Sequence, residues 1–171
     1  MDFEVTQAGE QDEVVTTAEF NPLVSLRDRR KAIIDDMFID IKVPRWSEPE
    51  IYVRFRPISA VTLNKKVETR RKQGGEMWSI LANADILADA CIGIYGVMDG
   101  DLDNKISLRD GDPKGEWTKF DGFLMEALGL EATRASDAVM SLYLTEGDLI
   151  ATANKLFEWS GIASNEADES F

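Results

Sequence analysis

The sequence predicts an α+β fold that is mostly α-helical: one compact helical domain carrying a two-stranded antiparallel β-ribbon, with disordered acidic termini. Three observations predict it. Apolar residues recur at helical spacing through most of the chain, the spacing switches to two over residues 39–56, and charge is concentrated at the ends. Residues 1–20 hold six acids and no base, and 158–171 hold four acids and no base, within a net charge of −13. Such ends read as solvated tails. The expected division is an acidic tail at 1–20, a helical domain at 21–161 with its β-ribbon at about 38–57, and an acidic tail at 162–171. At 171 residues and 44% hydrophobic, the chain can bury one core without a metal or disulfide.

Taken in order, Asn21-Pro22 forms a helix start, a capping residue before proline at the first helical position. Leu23, Leu26, Ile33, Ile34 and Met37 then make an apolar stripe, with Arg27, Arg29, Arg30 and Lys31 on other faces. Ile39, Ile41 and Val43 alternate with Asp40 and Lys42; Ile51, Val53 and Phe55 alternate with Tyr52, Arg54 and Arg56. These are the two strands of the ribbon, joined through Pro44 and Pro49. Ser59 caps a helix to about Lys72 whose apolar side is Val61, Leu63 and Val67, and Gly74-Gly75 ends it.

The segment Ile80–Met98 is predicted to be a central helix. Ile80, Leu87, Cys91, Ile94 and Met98 form one stripe and Leu81, Ala84, Ala88, Ile92 and Tyr95 another. A helix apolar on most of its circumference must be covered by neighbours. Asp85 and Asp89 argue against a membrane span, since each costs about 3 kcal/mol at a bilayer centre. Lys105–Leu108 reads as a short strand. Asp121 opens a short helix that Gly129 stops, a further helix covers roughly 132–144, and Thr145 caps a last helix closed by Gly161.

Composition removes much chemistry. The chain has no histidine, which excludes a Ser-His-Asp triad, a Cys-His pair and any histidine-ligated zinc. Its one cysteine, Cys91, excludes an internal disulfide and reads as a small buried hydrophobe, compatible with a reducing cytoplasm. No Walker A loop or dinucleotide fingerprint is present, and the N-terminus lacks the basic and apolar regions of a signal peptide. Carboxylate-only catalysis remains open among 32 acids, but nothing singles out a pair; the chain reads as a non-enzyme.

Two local patterns point to ligands. Asp99, Asp101, Asp103 and Asp110 stand at positions 1, 3, 5 and 12 of a calcium-type loop, with Ile106 at 8 and Ser107 at 9. Three departures weaken it: Asn104 at position 6, the short carboxylate of Asp110 at 12, and Gly111 and Pro113 where an exiting helix should run. The competing reading is a polar turn before a small hairpin, with no cofactor. The stretch 54–72 sets Arg54, Arg56, Lys65, Lys66, Arg70, Arg71 and Lys72 against Glu68 alone. The acidic balance of the domain and the lack of outward aromatics besides Tyr52 favour a solvated or docking face over nucleic acid. Trp46 and Trp78 read as core or staple residues, while Trp117 and Trp159 lie near element ends, where an aromatic sometimes anchors a partner.

The order of these pieces resembles the tail assembly chaperones of long-tailed, siphovirus-type bacteriophages. The resemblance spans about residues 38–161. It rests on Val43-Pro-Arg-Trp46, Ile51-Tyr-Val-Arg-Phe-Arg-Pro57, Ala90-Cys-Ile-Gly-Ile-Tyr95, Lys119-Phe-Asp121, Leu128-Gly-Leu130 and Glu158-Trp-Ser-Gly161. It implies a non-enzymatic assembly factor of the host cytoplasm, absent from the mature virion. Such a factor binds the tape measure protein, keeps it soluble and promotes polymerisation of the tail tube protein around it. The resemblance transfers no site residues. Partners are therefore expected to be proteins, a homo-oligomer included, with no nucleic acid and no membrane. A calcium-regulated binding module on loop 99–110 is the alternative.

Overall fold

The computed structural model of the chain describes residues 22–131 and 134–162. The expected acidic tails, the Asn21 cap and the start of the helix expected from 132 lie outside them. The chain divides after Asp36 into two compact units, so the boundary falls inside the segment expected to be one domain.

The described part of the first unit is a single helix, α1 (Pro22–Asp36), opened by its proline as the sequence implies. None of its residues is buried.

The second unit is an antiparallel sheet with helices on one face. Its elements are β1 (Ile39–Lys42), β2 (Glu50–Phe55), α2 (Ala60–Gln73), α3 (Trp78–Ala90), β3 (Cys91–Val97), β4 (Lys105–Ser107), α4 (Gly122–Ala127), α5 (Ala135–Leu142) and α6 (Glu146–Trp159). The strands lie in the order β1-β2-β3-β4, every neighbouring pair antiparallel. The expected two-stranded ribbon, β1 with β2, is thus half of a four-stranded sheet.

The missing half comes from the segment read as the C-terminal part of the central helix. The helix expected over 80–98 is two elements: α3 ends at Ala90 and the chain passes directly into β3. Cys91-Ile-Gly-Ile-Tyr-Gly-Val97 is rich in β-branched and aromatic residues and holds two glycines, each costing a helix about 1 kcal/mol. The ladder then decides. β3 pairs with β2 from Glu50↔Val97 to Phe55↔Cys91, with a register shift between Arg54 and Phe55, and with β4 from Tyr95↔Ser107 to Val97↔Lys105. The Ala90 carbonyl accepts the Arg56 N–H at 2.9 Å, and the Ile94 N–H donates to the Thr118 carbonyl at 2.7 Å. A run buried on both sides has no polar face to reveal its period, so helix and strand look alike in it.

The covered face of the sheet carries Ile41, Val43, Ile51, Val53, Phe55 and Ile94. They form one core with Ile86 and Leu87 of α3, Leu124 of α4, Val139 and Leu142 of α5, and Leu149, Ala153 and Leu156 of α6. Capping follows the sequence closely. Ser59 accepts the Thr62 N–H, Asp121 accepts the N–H groups of Phe123 and Leu124, and Thr145 accepts that of Asp148. Gly129 and Gly161 take the left-handed conformation just past α4 and α6, at φ 70° and 77°. The helix expected over 132–144 is described as α5, Ala135–Leu142. Among the described residues no helix is long and apolar enough to cross a membrane.

Candidate functional site

Alternation places a second set of side chains on the opposite face of the sheet: Asp40, Lys42, Tyr52, Arg54 and Tyr95. Tyr52 and Tyr95 stand directly opposite across β2 and β3, and their rings stack at 5.7 Å with an interplanar angle of 6°. Trp117 continues the ladder, 4.6 Å from Tyr95 between centroids. It lies against Gly93, where an added Cβ would stand 2.9 Å from Trp117 Cε3.

Arg54 sits beside this aromatic row. Its Nε and Nη2 donate to the two Asp40 carboxylate oxygens at 2.8 and 2.9 Å, and its guanidinium lies 3.7 Å from the Phe38 ring centroid. The Asp40 hydrogen bond raises the arginine's already high pKa against the cost of burial. Among the described residues the buried Tyr95 hydroxyl makes no hydrogen bond of ordinary geometry, and burial first, then nearby Asp40, pushes its ionisation upward.

At the rim of this face, β1 and the end of α6 border a groove of about 570 Å³. Ile39, Ile41 and Trp159 supply its apolar lining, and Lys42, Lys155 and Glu158 stand around it. Trp159 thus serves the core and the groove together. Trp46 is a staple: its Nε1 donates to the Leu142 carbonyl at 2.9 Å. Trp78 is half-buried, with the Arg71 guanidinium 5.2 Å from its ring.

The four aspartates of the calcium-type loop are spread over a hairpin. Asp99, Asp101 and Asp103 lie in the β3–β4 hairpin connection, and Asp110 follows the far end of β4. The carboxylates serve their own turns: Asp101 accepts the Asp103 N–H and Asp110 accepts the Asp112 N–H, both at 2.9 Å. Asp99 itself is left-handed, at φ 58°. Among the described residues, no group of three or more acidic or cysteine side chains is placed to hold a metal ion.

Much of the basic stretch is occupied by carboxylates. Arg70 reaches Asp85 of α3 with both Nε and Nη2, the latter at 2.9 Å, tying α2 to α3. Arg71 pairs with Glu68, Lys66 approaches Asp89, and Arg54 holds Asp40. Outside the stretch, Arg45 (φ 73°) binds Asp148 at 2.6 Å and holds that carboxyl below its usual range.

Cys91 begins β3 and is buried, with its thiol pushed up to about 12, chiefly by burial. It is the small core hydrophobe that the sequence suggests. At pH 8 the native protein is expected to react with a thiol reagent at a small fraction of the rate of the urea-unfolded chain. Equal rates, followed by absorbance of the released chromophore, would place Cys91 at the surface.

The chain matches no family model, no curated protein and no solved structure. The fold and face described above define its class: an α+β protein with helices on one side of a four-stranded antiparallel sheet and an aromatic, charged row on the other.

Proposed function

We propose that the chain is a non-enzymatic assembly factor of the tail assembly chaperone kind. In this reading it binds the tape measure protein in the host cytoplasm, keeps it soluble, promotes polymerisation of the tail tube protein around it, and leaves before the virion is mature. The single observation that carries the reading is α1. It is a fifteen-residue helix with no buried residue, exposing Leu26 and Ile33 by 62% and 61% together with Ile34. A helix presenting exposed apolar groups in this way is suited to engage a long apolar helix, which would otherwise aggregate. The sequence motifs that resemble the family, between residues 38 and 161, support the same reading.

Co-expression with a tape measure protein is expected to raise that protein's soluble fraction severalfold and to give a complex that co-purifies. The double substitution Leu26→Glu and Ile33→Glu is expected to abolish the complex while leaving the melting temperature within about 2 °C, because exposed sites contribute little to folding. Unchanged solubility with the native chain would overturn the proposal. The proposed role uses no metal, so calcium added to metal-free protein is expected to leave the melting temperature unchanged. A rise at millimolar ion would favour the calcium-regulated alternative on 99–110 instead.

A further inference from the structure

The bases of α2 and of the turn leading into it are only partly matched by acids. Arg70 is held by Asp85, Lys66 by Asp89 and Arg71 by Glu68. Among the described residues, Arg56, Lys65 and Lys72 have no acidic partner, and all three are exposed. Lys65 and Lys72 share one outward stripe of α2 with Val61 and Glu68, at helical spacings of four, three and four. The surplus of three positive charges therefore lies along one line, from the foot of the helix to its last turn.

The end of α6 brings a matching set of acids to the foot of that line. The Ser160 hydroxyl accepts the Ile58 N–H at 3.2 Å, and Ile162 packs on the core, so residue 163 leaves beside the start of α2. Residues 163–171 carry Glu166, Asp168 and Glu169 and no base. Lengths match as well as charges. At 1.5 Å per residue, Lys65 and Lys72 lie about 10 and about 20 Å along the helix from Ser59. At about 3.3 Å per extended residue, Glu166 reaches about 13 Å from Ile162, and Asp168 and Glu169 reach about 20–23 Å. From this match we infer that residues 163–171 lie along the outer face of α2, running in the direction of the helix. Glu166 meets Lys65, and Asp168 and Glu169 meet Lys72, with Arg56 at the foot. The acidic residues 1–20 are a less direct occupant, since they belong to the other compact unit. So placed, the segment neutralises a basic surface that would otherwise draw other polyanions, and an acidic partner has to displace it. The inference is independent of the chaperone reading, since it involves neither α1 nor the tape measure protein.

The test is paramagnetic broadening in the full chain, with a nitroxide placed on Ser170→Cys and circular dichroism to verify folding. The buried Cys91 thiol leaves the introduced one as the reactive site. An undocked segment also sweeps the region where it leaves the fold, so the amides that decide are Arg71–Gln73, at the far end of α2. At low salt these are expected to broaden severalfold more than at about 1 M salt, where screening acts within about 3 Å. Lys65→Glu with Lys72→Glu is expected to remove the broadening, and adding Glu166→Lys, Asp168→Lys and Glu169→Lys is expected to restore it. Mixing nitroxide-bearing chains with isotope-labelled native chains is expected to leave the labelled chains sharp. Absence of broadening at Arg71–Gln73 in low salt overturns the inference, as does broadening unmoved by the charge reversal or not restored by the second reversal. Broadening in the mixed sample overturns it too, by assigning the α2 face to a second copy.

Discussion

Phe55→Ala is expected to destabilise the second unit by about 3–5 kcal/mol, the usual cost of emptying a fully buried aromatic site. Phe55 has no exposed surface and closes β2 where the register of the β2–β3 ladder shifts. It belongs to the cluster that joins the sheet to α3, α5 and α6, so the vacated volume would lie between layers and not at a rim that can collapse. The melting temperature should fall by on the order of 10–20 °C, and the urea midpoint should fall without a change in slope. A loss of under about 1 kcal/mol would mean that the sheet and helices do not share one core.

Gly93→Ala gives a test of opposite sign for two folds of one segment. If residues 80–98 formed one helix, replacing an interior glycine by alanine would stabilise it by about 1 kcal/mol. In β3 the new methyl would stand 2.9 Å from Trp117 Cε3, closer than real Cβ contacts come, and a tight 3.1 Å from Trp117 Cβ. Trp117 would have to move off the sheet, giving up its packing on Tyr95 and its place 5.0 Å from the Arg54 guanidinium. The expected result is a loss of about 1–3 kcal/mol, the cost of overpacking a fitted site. Tryptophan fluorescence should shift with it, since Trp117 would become more exposed. Stabilisation by alanine would restore the helical account of this segment.

These two experiments also mark where local and global information part. Short-range chemistry wrote itself plainly into the chain. The proline start of α1, the caps at Ser59, Asp121 and Thr145, the left-handed glycines at 129 and 161, and the alternating strands β1 and β2 are each decided by a few neighbouring residues. The burial of Cys91 and the staple role of Trp46 were legible for similar reasons: each is apolar or amphipathic in apolar surroundings. The candidate site was much less legible. Alternation at 39–43 and 51–56 showed that Asp40, Lys42, Tyr52 and Arg54 face away from the core, but it could not show that Tyr95 and Trp117 join them.

What the sequence by itself determined is therefore the inventory: helices α1, α2, α4 and α6 near their observed positions, a β-ribbon at its observed place, and a chain without histidine or paired thiols. What only the tertiary structure decided is the fate of residues 91–97 and the neighbours of the acidic loop. A continuous apolar run satisfies helical and extended periods equally, and the choice falls to whichever arrangement gives its backbone groups partners. Here those partners are β2, β4 and Thr118, far away in sequence. The same strand pairing puts Asp99, Asp101 and Asp103 in the β3–β4 connection and Asp110 just past β4.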